Sequence, residues 1–431
     1  MHAWRNKMIN RNLFLMLSMV WVVIVLFGCE KAPPFECTDS IGCVTIAPGE
    51  PVKIGVLQDL SGGAVSFGTD QLRCMELAAA EKGNQLLGHP MELIIEDSRC
   101  SPEGGAIAAL KMVADPGVVA VLGTTCSRSA VNVSKIVSRN GLAMVSGHNT
   151  AASLTSVGDE PGSDWYPGFL RTIHNGTPLG YAGAIFAFKD LHVTRVATVD
   201  QGDPYTRGAT EAFKQMFTDL GGEIVLSTTV NRGDKDMKPA LNGVAHSGAQ
   251  LLFFVAFRPE GDLIVKQAKQ VSGFSDIILM GGGALVFESF IKSVGPDGLG
   301  MYFSHTAPPK GPAVNKLVAE YKSRYDEPPQ TSTYAYAYDA ANILFAAIEN
   351  AAVKEPNGTL HIGRQALRDA LYAISGFEGV SGILTCNKYG DCGSGGARIL
   401  RLDDLSGGIT GLMSNVKFIY RPGKKNVGDK K

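Results

Sequence analysis

From residue 52 onward, short runs of aliphatic residues alternate with longer stretches in which apolar positions recur every three or four residues. The runs at 53–57, 91–95, 118–122 and 142–145 read as buried strands. Helices are predicted between them at 69–82, 102–114 and 129–139. The rhythm then restarts. Strands are predicted at 195–199, 223–227, 250–256 and 277–280, with helices at 204–220, 236–246 and 260–271. Strands that are apolar throughout and separated by single helices pair in parallel, with helices on both faces. Two such series predict an α/β fold with two doubly wound parallel-sheet lobes. The stretch 153–167, rich in Gly, Pro, Asp and Ser, reads as a loop between the series. After 302 the helices lengthen, at 312–325, 334–352 and 364–374, and β-like pieces follow at 380–384, 397–402 and 416–420. The pattern alone assigns this last third to neither lobe.

Composition narrows the class. A chain of 431 residues is too long for one core, and 45% hydrophobic with 19% charged residues excludes a disordered or fibrous protein. Forty basic against 41 acidic residues leave a formal charge of −1, so no basic excess points to a nucleic-acid partner. The 51 glycines follow no period, which excludes collagen and linker readings.

The N-terminus reads as a secretory signal. Arg5, Lys7 and Arg11 precede the apolar run 13–27, which is short for a membrane span, and no acid occurs before Glu30. Leu26-Phe27-Gly28-Cys29 resembles a bacterial lipobox, although Phe27 is bulky for its slot. Residues 1–28 are then a signal peptide and Cys29 the lipid-bearing residue; an uncleaved anchor with an incidental cysteine is the alternative. Residues 29–51 form a tether, and 421–431 a basic tail. Export implies an oxidising compartment. Cys37 and Cys43, like Cys386 and Cys392, enclose five residues each, and Cys100 and Cys126 both follow predicted strands. Cys74, between Leu72 and Met75 in a predicted helix, is left as a buried thiol. No CxxC or HExxH spacing occurs, so no metal site is expected.

Ligands of doubly wound sheets sit beyond the carboxyl ends of strands. The segments there are Asp59-Leu-Ser-Gly-Gly63 with Phe67-Gly68, Gly123-Thr-Thr-Cys-Ser127, Ser146-Gly-His-Asn-Thr150, Asp200 to Tyr205, Phe257-Arg-Pro-Glu260 and Gly281-Gly-Gly283. The turn at 124–129 offers hydroxyls and helix-opening N–H groups to a carboxylate or phosphate, or Ser127 simply caps the helix. Glu260 either holds a ligand ammonium or is a first-turn acid favoured by the helix dipole. Phe67 is an apolar lid or a core aromatic, Asp200 and Asp203 anchor Tyr205 or cap the Pro204 helix, and His148 reads as a loop histidine. No G-x-S-x-G, P-loop or G-x-G-x-x-G occurs, and no enzyme is expected.

Together these segments resemble the type I periplasmic solute-binding proteins of the leucine/isoleucine/valine-binding family, over about residues 52–420. The resemblance implies that Ser127, Thr150 and the Asn149 backbone bind an α-carboxylate. It further implies that Glu260 pairs with the α-ammonium, Tyr205 closes the polar end and Phe67 touches the side chain. Cys100 and Cys126 fall where the family carries a first-lobe disulfide. The lobes become 52–172 plus 304–375 and 173–303 plus 376–420, joined by a three-strand hinge. A monomeric, extracytoplasmic lipoprotein without a cofactor is implied, delivering a small solute, an amino acid by this reading, to ABC permease subunits. A sensor without a transporter, or a binder of another carboxylate or amide, is the alternative. Gly147-His148 departs from the family's proline-containing turn, and Gly282-Gly283 supply no side chain.

Overall fold

The computed structural model describes residues 35–393 and 395–422 and divides into two units, 1–38 and 39–431. In the first unit, residues 35–38 carry no helix or strand. The expected signal peptide, Cys29 and the tail from 423 lie outside the described residues.

The second unit holds both lobes. The first sheet has six strands, ordered Gln85–Leu86, His89–Asp97, Val52–Gln58, Val118–Gly123, Ala143–Ser146 and Phe169–Arg171. All neighbours are parallel except Gln85–Leu86, which runs back along His89–Asp97. Val52–Gln58 is central, with Ile54 opposite Leu93 on one side and Ala120 on the other. A strand walled in on both faces must be apolar at successive positions, which is why its pattern is a run rather than an alternation. The Val65–Glu81 and Tyr334–Ala351 helices cover one face. Pro102–Ala114 and Ser127–Arg139 cover the other.

The second sheet is ordered Glu223–Thr229, Arg195–Asp200, Leu251–Val255, Ile278–Gly282, Tyr302–Thr306, Ala397–Arg401 and Val416–Tyr420. The first five strands are parallel and the last two antiparallel. Phe213, on the Pro204–Asp219 helix, stacks on Phe253 of the sheet with ring centroids 4.1 Å apart. Thr177–Ile185 shares that face, and Lys238–His246, Glu260–Ala268 and Glu288–Val294 fill the other.

The chain passes between the sheets at residues 172–176, at 307–311 and near Gly395. The first and third passages touch at His174, where a Cβ on Gly395 would lie 2.2 Å from the ring. Only glycine permits that approach.

Two expected boundaries move. Tyr302–Thr306 belongs wholly to the second sheet, so the break expected at 304 falls inside a strand. Residues from 376 do not return to the second lobe at once. Leu384 and Cys392 pack in the first lobe's core, Asp391 bridges to Arg171, and the second sheet is rejoined only at Ala397. The single strand expected at 380–384 is instead a hairpin of Phe377–Gly379 and Gly382–Leu384. The loop at 153–167 contains a short ladder, Ser156–Val157 with Glu160–Pro161. Disulfides join Cys100 to Cys126 and Cys386 to Cys392, Cys37 and Cys43 are each disulfide-bonded, and Cys74 is a buried thiol. No helix of the described residues is long and apolar enough to cross a membrane.

Candidate functional site

The carboxyl ends of the two sheets face each other across a cavity of about 60 Å³. Phe67, Ser127, His148 and Thr150 line it from the first lobe, and Tyr205, Phe257 and His305 from the second. Phe67 also meets Phe287 across the cleft edge-on, with centroids 4.8 Å apart.

Ser127 opens its helix behind Cys126, whose backbone is extended and whose side chain caps nothing. Its Oγ accepts the Ala151 N–H at 3.2 Å, which leaves the hydroxyl proton to donate. Helix-opening N–H groups add positive potential at the same place. Thr150 follows in the adjoining loop. Thr125 also lines the cavity, but its hydroxyl is engaged, donating to Gln58 Oε1 at 2.7 Å and accepting from the Asp59 N–H. The Asn149 backbone, expected to meet the carboxylate, is bonded within the first lobe. Asn149 is fully buried outside the lining; its N–H donates to Ser146 Oγ at 3.0 Å and its carbonyl accepts from Arg171.

His148 is a loop residue, as expected, and its ring also lines the cavity. Its Nδ1–H donates to the Thr125 carbonyl at 2.7 Å, so the neutral ring keeps Nε2 as an acceptor. Desolvation pushes its pKa down to about 4, and its ring centroid lies 4.7 Å from that of Phe67. The preceding Gly147 has a steric cause: a Cβ there would come within 2.5 Å of the Ala337 backbone.

In the second lobe, Asp203 caps the helix by accepting the N–H groups of Tyr205 and Thr206 at 2.9 and 3.0 Å. This sets the Tyr205 ring against Phe257, 5.6 Å between centroids, and burial holds its phenol neutral with a raised pKa. His305, at the end of Tyr302–Thr306, has its pKa pushed down to about 3 by burial and then by Arg398. Ser332 and Thr333 complete the wall. His305 is not legible in the sequence because the strand that carries it, Tyr302–Thr306, has no apolar run; the strand-end rule would otherwise select it.

Glu260 is the largest departure. It is 1% exposed and does not line the cavity. Its Oε2 accepts from Gln201 Nε2 at 2.8 Å and its Oε1 from the Gly233 N–H at 2.6 Å. Gln201 Oε1 in turn accepts the Phe257 N–H at 2.9 Å. The cavity lining therefore contains no charged side chain. Asp59 lies near Cys100 and Cys126, but those sulfurs are bonded to each other and offer no thiolate to a metal.

A family model described as periplasmic binding protein matches residues 51–405. The chain belongs to the periplasmic binding protein family. It is 27% identical over 377 residues to Leu/Ile/Val-binding protein homolog 3 of Brucella melitensis, covering 86% of this chain and 96% of the relative. It is 26% identical to the leucine-, isoleucine-, valine-, threonine- and alanine-binding protein of Pseudomonas aeruginosa, covering 79% and 87% of the two chains. Among solved structures, the leucine binding protein LivK of Thermotoga maritima superposes with a TM-score of 0.71 at 25% identity, covering 86% of this chain and 99% of that one. A solute binding protein of R. palustris in complex with benzoate superposes at 0.66 with 20% identity, covering 88% and 100%. The two doubly wound lobes are thus those of a periplasmic binding protein, and the cavity between them is where such a fold takes its solute.

Proposed function

We propose that this periplasmic binding protein captures a small carboxylate whose remaining part is uncharged, and presents it to an ABC permease. The observation that carries this reading is the neutral lining. Ser127 and Thr150 hydroxyls at a helix N-terminus suit a carboxylate, whereas an ammonium would meet no acid, because Glu260 is held by Gln201 and Gly233. Burying an unpaired ammonium is costly. Phe67, Tyr205 and Phe257 offer apolar and aromatic surface to the rest of the solute. The same fold holds benzoate in the R. palustris protein, so it accommodates an amine-free acid.

An α-amino acid is the second reading, favoured by the curated relatives named for leucine, isoleucine and valine. Calorimetry with leucine and its deaminated analogue 4-methylpentanoate separates the two. The neutral-lining reading expects the analogue to bind at least as tightly; leucine binding tenfold tighter would establish the amino acid instead.

The location belongs to the same proposal. Removal of residues 1–28 and acylation of Cys29 would tether the monomeric protein at the extracytoplasmic face of a membrane. The basic residues before the apolar run and Leu26-Phe27-Gly28-Cys29 support this. A Cys29→Ser variant is expected to leave the membrane fraction, and equal retention would count against the anchor.

A further inference from the structure

Arg232 bridges the lobes. Its Nη1 donates to the Cys100 carbonyl of the first lobe at 3.2 Å. The turn that carries it is held from within the second lobe, where Glu260 accepts the N–H of the next residue, Gly233. Cys100 is itself constrained, with φ at +44° after Arg99 at +56°, and is bonded to Cys126 immediately before Ser127. On the other side, Glu260 connects through Gln201 to the backbone of Phe257. A continuous set of bonds therefore runs behind the cavity from the Ser127 wall to the Phe257 wall.

A contact between lobes exists only while they are together, so it favours the closed form selectively. The buried carboxylate of Glu260 fixes the turn; the exposed Arg232 makes the crossing. We propose that Glu260 and Arg232 are positioning residues for lobe closure, Glu260 aiming Arg232 at the Cys100 carbonyl to latch the cleft over its solute. This rests on the cleft being the solute site, not on which carboxylate fills it.

The test measures rates with benzoate and with leucine as separate probes, together with small-angle scattering of the ligand-free protein. Arg232→Gln and Glu260→Ala should each speed dissociation of the bound probe about three- to tenfold, the range of one hydrogen bond, with association changed less than about twofold. The double variant should be no worse than the worse single variant, because both act through one contact. Arg232→Lys should recover part of the loss. Unchanged dissociation in Arg232→Gln, or effects that multiply in the double variant, would overturn the latch. Should Glu260→Ala not fold, Arg232→Gln on the exposed turn still decides. If neither probe binds the unaltered protein, the carboxylate reading fails separately and scattering decides the latch. A larger radius of gyration in Arg232→Gln supports it, and superimposable curves refute it.

Discussion

Arg171 is fully buried, and its Nε donates to Asp391 Oδ1 at 2.5 Å although 220 residues separate them. The same guanidinium donates to the carbonyls of Asn149 and Ala151, the residues flanking Thr150, and to the Thr155 hydroxyl. One ion pair thus ties the Cys386–Cys392 loop to the loop that carries Thr150 to the cavity. Asp391→Ala would leave a buried cation with neutral acceptors only. Breaking such a pair costs about 3–5 kcal/mol, to be read as a lowered urea midpoint. A loss below about 1 kcal/mol would mean that the neutral acceptors suffice.

Arg171 also shows where sequence reading stops. The strands around Val52–Gln58 and Leu251–Val255 were legible because burial on both faces writes an apolar run between helical stretches. Phe169–Arg171 was not: three residues, one of them charged, between polar loops carry no such pattern. Thr177–Ile185 escaped because it is apolar nearly all round and lacks an amphipathic period. The segments holding Ser127, Thr150, Tyr205 and Phe67 are legible from their places after strands, the individual residues only through the family resemblance, and all four line the cavity. Glu260 was found as a residue but not in its surroundings, since the Gly233 N–H that takes up its Oε1 comes from a turn 27 residues away. Segment 376–393 misled for a related reason: its lobe is decided by the bridge from Asp391, not by its own composition.

The cysteines give an independent check. Closing the 26-residue span of Cys100–Cys126 stabilises by about 3 kcal/mol in the loop-entropy model, and the six-residue span of Cys386–Cys392 by about 2 kcal/mol. Serine pairs at each site should lower stability in that order. Cys74 is fully buried, and desolvation raises its thiol pKa well above the usual value. It should react with a thiol reagent only after unfolding. Alkylation of Cys74 in the native protein, or its recovery in a bridge on peptide mapping, would contradict this arrangement.

His148, His174 and His305 make stability depend on pH. Burial holds their pKa values at about 4, about 4 and about 3, below the unfolded value of about 6.5. Below pH 6.5 the unfolded chain therefore binds protons that the folded chain refuses. Their contribution is complete above about pH 6.5 and is lost as pH falls towards 4, by up to about 1.4 kcal/mol per pH unit for each ring. The buried Asp59 and Asp70, with raised pKa values, act in the opposite sense nearer the carboxylate range. Urea unfolding at pH 7.5 and pH 5.0 should show the loss, and His305→Asn should reduce it. An equal loss in that variant would exclude His305 as a source.

Ser127 gives the most direct test of the cleft. Its oxygen already accepts the Ala151 N–H, and its proton remains to donate to an anionic solute. A hydrogen bond to a charged group contributes about 1.5–3 kcal/mol, so Ser127→Ala should weaken a carboxylate about ten- to a hundredfold. The loss should be similar for benzoate and for leucine, because both present the same group to that hydroxyl. Thr150→Val should weaken both as well, without disturbing the Ala151 N–H. Benzamide, which has the ring but no charge, should bind the unaltered protein weakly and be little affected by Ser127→Ala. That control separates loss of a carboxylate contact from general damage to the loop, which would weaken amide and acid alike. If calorimetry finds Ser127→Ala within about twofold of the unaltered protein for every carboxylate that binds, the anion sits elsewhere in the cleft, and the hydroxyl serves only to hold Ala151.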